Sequence, residues 1–217
     1  MKLLHILPLV TVVHATIQGI SISRYQSVFN FTEAHSMGLR YAYIKATEGT
    51  TYTDPKYRTH YATANGAGFL CGGTHIAHPS ASSGSAQADF FLSNGGAWQA
   101  DAVMLPGLLD LNGDCAGMGA EAMVKWIQEF GDTYKAATGR WPVLKTENTW
   151  WVECTGNTKA FVDQTGLMLV RWGASPGSVP GGWRSWLFWQ YAGNGAWGGN
   201  SAVFNGDADA LRKLAEG

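Results

Sequence analysis

The residues best suited to chemistry lie in the stretch 105–115, Leu-Pro-Gly-Leu-Leu-Asp-Leu-Asn-Gly-Asp-Cys. An apolar run too short for a helix empties into an acid, an amide, a glycine and a cysteine. That pattern predicts a buried strand opening into a loop. Residues i and i+2 of a strand point to the same side, which places Asp110 and Asn112 together at the strand's mouth. Two carboxylates so arranged would form a pair for general acid–base work on a bond held between them. Here one member is an amide, which donates and accepts hydrogen bonds but is far too weak an acid to give up a proton.

The elements that must position this pair follow from the rest of the chain. Short apolar or alternating runs at 19–26, 40–49, 69–72 and 141–146 predict strands. Helical patterns at 31–38, 54–68, 87–94 and 121–138 fall between them. The last of these helices is the best defined, with Met123, Trp126, Ile127, Phe130 and Tyr134 recurring at helical spacing and Gly139 as its stop. From 167 onward the strands at 167–172 and 186–191 are joined by Gly/Pro loops, and a short helix at 207–216 closes the chain. Strands alternating with helices and then strands alone predict an α/β fold, a single-domain irregular TIM-like (β/α)5(β)3 barrel. In such barrels the chemistry sits at the strand C-termini. Ser21, Lys45, Glu48, His75, Asp110, Asn112, Lys145 and Gln190 all fall there.

Composition narrows the class. The 217 residues are 46% hydrophobic and 14% charged, with a formal net charge of -1, so no basic stripe exists to bind nucleic acid or dock on a membrane. Ten Trp and 28 Gly give an aromatic-rich, charge-poor chain suited to sugars, whose C–H faces stack on indole rings. Residues 1–15 carry one Lys, an apolar run too short to span a bilayer, and small residues Val13 and Ala15. This reads as a secretory signal removed after Ala15, leaving 16–217 as an exported, extracellular domain, expected to be a monomer. Of the three Cys, Cys71 sits inside an apolar strand as a buried thiol. Cys115 and Cys154 fall in loops and are expected to pair as a disulfide. Nothing in the pattern calls for a metal or an organic cofactor, and Asn30-Phe31-Thr32 is a glycosylation sequon.

Several motifs occur in one order: Lys45-Ala46-Thr47-Glu48-Gly49, Thr74-His75-Ile76-Ala77-His78-Pro79, Asp110-Leu111-Asn112, Thr138-Gly139-Arg140-Trp141-Pro142-Val143, Trp150-Trp151 and Phe188-Trp189-Gln190-Tyr191. With these the chain resembles glycoside hydrolase family 25, the Chalaropsis-type lysozymes, and most closely their fungal secreted branch. The resemblance runs from about Gly19 to the end. It implies an irregular eight-stranded barrel and an N-acetylmuramidase activity that cleaves peptidoglycan between N-acetylmuramic acid and N-acetylglucosamine. It also implies that Tyr43, His75, Trp151, Trp189 and Tyr191 lie at or near a substrate groove, with Lys145 beside them.

The family's acids do not all carry over. Asp110 is retained, but Ser21, Asn112 and Asn200 stand where the family has acids, Asn112 at the proton donor. Lys145 replaces a Tyr and Met168 a Trp. Loss of general acid catalysis alone forfeits about 10²–10⁴ in rate, and Lys145 adds positive charge near a cationic transition state. The sequence therefore predicts a secreted pseudoenzyme that binds peptidoglycan or a related amino-sugar glycan without cutting it. The alternatives are an active muramidase using Asp110 with a substitute acid such as Glu147 or Asp114, and a barrel recruited to bind an extracellular protein.

Overall fold

The strands alternate inward and outward residues at period two, and edge-to-edge pairing right round the sheet closes them into a barrel. The computed structural model describes residues 16–217; the signal segment expected over 1–15 lies outside them. Chain order is β1 (Ile17–Ile22), α1 (Phe31–Ser36), β2 (Leu39–Glu48), β3 (Tyr52–Thr53), α2 (Tyr57–Gly66), β4 (Leu70–Ile76) and α3 (Gly84–Phe91). A π-turn at Leu92–Gly96 follows, then β5 (Leu108–Asp110), α4 (Ala120–Thr138), β6 (Val143–Glu147) and α5 (Asn148–Thr155). The chain ends with β7 (Leu167–Val170), β8 (Phe188–Ala192), β9 (Asn200–Phe204) and α6 (Ala208–Glu216).

The wall runs β1-β2-β4-β5-β6-β7-β8 in parallel and is closed by β9, which pairs antiparallel with both β8 and β1. The two-residue β3 extends β2 as a flap. Helices cover the wall from β1 to β6 and leave β7 to β9 bare, as the (β/α)5(β)3 pattern predicts. No helix among the described residues is long and apolar enough to cross a membrane.

Local chemistry explains the boundaries. Asn30 caps α1 by accepting from the Glu33 N–H at 3.1 Å, and Asp207 caps α6 by accepting from Ala210 N–H at 2.8 Å. Gly139 ends α4 in the left-handed region at φ 85°. Inside the barrel, Tyr41, Tyr43, Leu108, Val143, Phe188 and Phe204 form a closed apolar floor, sealed below by Leu211 and Ala215 of α6. Two glycines make room for the tyrosines. A Cβ on Gly72 would lie 2.5 Å from the Tyr43 ring, and one on Gly19 2.3 Å from Tyr41. A second apolar layer lies between the barrel and α3, α4 and α5, built on Phe91, Leu109, Trp126, Phe130 and Leu144.

Three elements depart from the sequence expectation. Residues 148–155 form α5 where a loop was expected, so Cys154 sits in a helix. It is disulfide-bonded to Cys115 across 39 residues. Residues 200–204 form the closing strand β9, and β5 is only three residues long. Cys71 is a buried free thiol.

Candidate functional site

At the C-terminal ends of the parallel strands the inward residues change from apolar to polar. Continuing the period of two from Tyr41 and Tyr43 brings Lys45 inward on β2. The same step brings Ser21 on β1, Thr74 on β4, Asp110 on β5, Lys145 on β6 and Gln190 on β8. Asn200 enters from antiparallel β9, directly opposite Ser21. Together with Tyr25, Gln26, Ile76 and Asn194, most of these line an open cleft of about 310 Å³.

Asp110 and Lys145 form its centre. They are register partners on β5 and β6, and Lys145 Nζ donates to Asp110 Oδ2 at 2.8 Å, with both side chains buried. Burying a lone ammonium or a lone carboxylate is prohibitively costly, so each depends on the other. Asp110 is the one carboxylate among the residues lining the cleft. Asn112 lies past the end of β5, exposed on the rim and outside that lining. The two thus differ in burial, and the pairing with β6 runs one residue beyond Asp110, where the Leu111 N–H donates to the Lys145 carbonyl at 2.9 Å.

Two residues that line the cleft, Ser21 and Tyr43, carry buried hydroxyls with no hydrogen-bond partner among the described residues; Tyr41 Oη and Gln190 Oε1, on inward residues outside that lining, are likewise unpartnered there. Buried polar groups are ordinarily paired, so the unpartnered hydroxyls of two lining residues leave the cleft hydrogen-bonding capacity for water or a ligand. Burial also pushes the Tyr43 hydroxyl well above its ordinary range, which keeps it a neutral donor and acceptor.

A second group borders the cleft. Lys45 Nζ reaches Glu48 Oε2 at 2.5 Å, and His78 Nε2 lies 2.7 Å from Glu48 Oε1. Partial burial pushes the Glu48 carboxyl up. The hydrogen bonds and charges of Lys45 and His78 pull it down further, leaving it below its ordinary value.

Four residues expected in the groove lie elsewhere. His75 follows inward-facing Thr74, so it points outward into the layer under α3 and α4, fully buried between Phe91 and Phe130. Gln87 Nε2 donates to the His78 carbonyl, which leaves its Oε1 as an acceptor for His75 Nε2–H at 3.0 Å. His75 Nδ1 then accepts from the Thr47 hydroxyl at 2.7 Å. Burial lowers the ring to about 4, so it is a neutral structural histidine. Trp151 is wholly buried on α5 against Phe161 and Trp183, donating to the Thr158 carbonyl at 3.1 Å. Trp189 and Tyr191 alternate with inward Phe188 and Gln190 and so lie on the outer wall. Trp189 Nε1 donates to the Arg171 carbonyl, and the Tyr191 hydroxyl meets Gln18 Oε1. Conversely, Tyr25, Gln26, Thr74, Ile76 and Asn194 line the cleft without having been singled out. For Thr74 and Ile76 the signal was present in the alternation from Gly72. No three His, Cys, Asp or Glu side chains among the described residues are grouped to hold a metal ion.

The family model for glycosyl hydrolases family 25 matches residues 20–200. The N,O-diacetylmuramidase of Chalaropsis sp is 46% identical over 211 residues, covering 93% of this chain and 100% of that protein. The muramidase structure from Trichobolus zukalii superposes with a TM-score of 0.91 at 48% identity, covering 92% of this chain and 99% of the other. The family GH25 lysozyme of Aspergillus fumigatus gives a TM-score of 0.91 at 45% identity over 94% and 100%. A (β/α)5(β)3 barrel with its polar cleft at the strand C-termini, matched this far in sequence and backbone, belongs to glycosyl hydrolases family 25.

Proposed function

We propose that this protein is an exported member of the family that binds a peptidoglycan-type amino-sugar glycan in the barrel mouth without hydrolysing it. The observation that carries this reading is the Asp110–Lys145 ion pair. Glycoside hydrolysis needs a proton on the leaving oxygen and negative charge or a nucleophile facing the developing oxocarbenium ion. The cleft's one lining carboxylate is already bonded to an ammonium. Ser21 and Asn200 are neutral, and the amide of Asn112 donates no proton.

Binding is supported separately. Muramidase and lysozyme are the names of the similar proteins, and amides in place of acids keep the hydrogen bonds that hold sugar hydroxyls and N-acetyl groups. Ser21 and Tyr43, whose buried hydroxyls have no partner among the described residues, line the cleft that such a ligand would enter. An open cleft favours a glycan over the protein-scaffold alternative, for which a filled or closed groove would speak.

The test is reducing-end release from purified bacterial peptidoglycan, with pull-down on the same insoluble material. The unmodified protein is expected to sediment with peptidoglycan and release nothing. The variant with Ser21→Asp, Asn112→Glu, Lys145→Tyr and Asn200→Asp is expected to gain release. Release by the unmodified protein would overturn the reading. The substitute acid would then be sought first at Glu147, exposed two residues beyond Lys145 on β6.

A further inference from the structure

We infer that the site selects glycans bearing a free sugar carboxylate, and that Arg24, just outside the barrel mouth, is a specificity-determining residue for that group. This rests on the glycan-binding reading above. Beside the cleft lies a second hollow of about 650 Å³ lined by Arg24, Lys45, Glu48, Tyr52 and His78. It shares Tyr25 and Lys45 with the first, so the two form one surface. Counting the Arg, Lys, Asp and Glu side chains, Arg24, Lys45 and Lys145 face Asp110 and Glu48 across that surface, and one positive charge is left over.

The unmatched cation is Arg24. Asp110 answers Lys145 and Glu48 answers Lys45, but among the described residues Arg24 has no carboxylate within ion-pair distance of its guanidinium. The group is nonetheless held in place. It lies 5.0 Å from the Tyr25 ring centre and 5.3 Å from that of Tyr52, and its Nη1 donates to the Tyr52 oxygen at 2.8 Å. The Arg24 backbone N–H is itself fixed to Asp54 Oδ2 at 3.0 Å. A pre-organised guanidinium loses little entropy when it meets a carboxylate, and its remaining N–H donors fit that group two at a time. Tyr25, highly exposed beside it, offers a ring face for the sugar carrying the charge.

The chemistry recognised is a sugar carboxylate, whether the lactyl acid of muramic acid freed of its peptide or the carboxylate of a uronic acid. The experiment measures affinity of the purified protein for peptide-free peptidoglycan strands and for the same strands with their carboxylates capped as methylamides. An oligosaccharide of alternating N-acetylglucosamine and glucuronate forms a third arm. The free strands are expected to bind about tenfold more tightly than the capped ones, as one charge-assisted contact allows. That advantage should shrink with added salt and vanish in Arg24→Gln, with affinity for capped strands unchanged. Tight binding of the glucuronate oligosaccharide would extend the site to any sugar carboxylate, and weak binding would restrict it to the lactyl group. Equal affinity for free and capped strands overturns the inference while leaving glycan binding intact. Absence of binding to either strand overturns both. Reducing-end release from the strands overturns only the non-hydrolysing reading, and the free-to-capped ratio still decides this one.

Discussion

Lys145 Nζ and Asp110 Oδ2 meet 2.8 Å apart from register-paired positions on β5 and β6, and among the described residues neither charge has another partner of opposite sign within ion-pair distance. Attraction in a low-dielectric site offsets the desolvation of the two charges only while both are present.

The first prediction follows directly. Lys145→Met strands the Asp110 charge and is expected to cost about 3 kcal/mol in urea unfolding, while Lys145→Met with Asp110→Asn recovers much of it. Equal loss in the single and double variants would remove the pair from the account of stability.

Tyr43 separates binding from folding. Its hydroxyl is buried without a partner among the described residues, so Tyr43→Phe removes an unsatisfied group and is expected to leave stability unchanged or slightly raised. Affinity for peptidoglycan strands should fall by about tenfold, the worth of one hydrogen bond to a ligand. A variant that loses stability and keeps its affinity would assign the hydroxyl to the core instead.

His75 gives the protein an acid sensitivity away from the cleft. Burial holds its ring at about 4 in the folded state, against about 6.5 when unfolded. Between those values the unfolded chain binds more protons, so stability is full above about 6.5, declines as pH falls and levels off below about 4, a loss of about 3 kcal/mol. Urea midpoints of the protein and of His75→Gln, compared from pH 7 to 4, isolate this contribution. A ring NMR titration of His75 centred near its ordinary value would refute it.

The disulfide closes a loop of 39 residues between the rim beyond β5 and the last turn of α5. Chain-entropy arguments put its contribution at about 4 kcal/mol. Reduction, or Cys115→Ser with Cys154→Ser, is expected to lower the unfolding free energy by that order. A change below about 1 kcal/mol would show that the unfolded chain gains little freedom on reduction.

Much of the barrel was legible because its strands and helices carry different periods, and the switch to bare strands after residue 167 marks where helical cover ends. What was lost shows where local pattern yields to tertiary contacts. Residues 148–155 open with Asn, Thr and two Trp, weak helix formers, and α5 is held by packing of Trp150 and Trp151 rather than by propensity. His75 was grouped by its polarity with its neighbours. Gly72 faces Tyr43, and counting by twos from it puts Thr74 inside and His75 outside. Asn112 lies two residues past the end of β5 at Asp110, and its exposure beside a buried Asp110 is not written in the local pattern. The Asp110–Lys145 contact joins two strands 35 residues apart and needed the register before it could be seen.

The antiparallel seam has a consequence for how the chain is made. Ile17 stands opposite Phe204, so the first strand lacks one of its neighbours until residue 204 has been synthesised. Up to that moment β1 and β8 present open edges, the kind of surface that recruits strands from other molecules. Closure of the ring is thus a late, non-local step that sets the pace of folding. A nascent chain stalled before β9 is the species most exposed to aggregation. Expression yield should therefore respond more sharply to damage at Ser201, Ala202 and Val203 than to damage at the cleft.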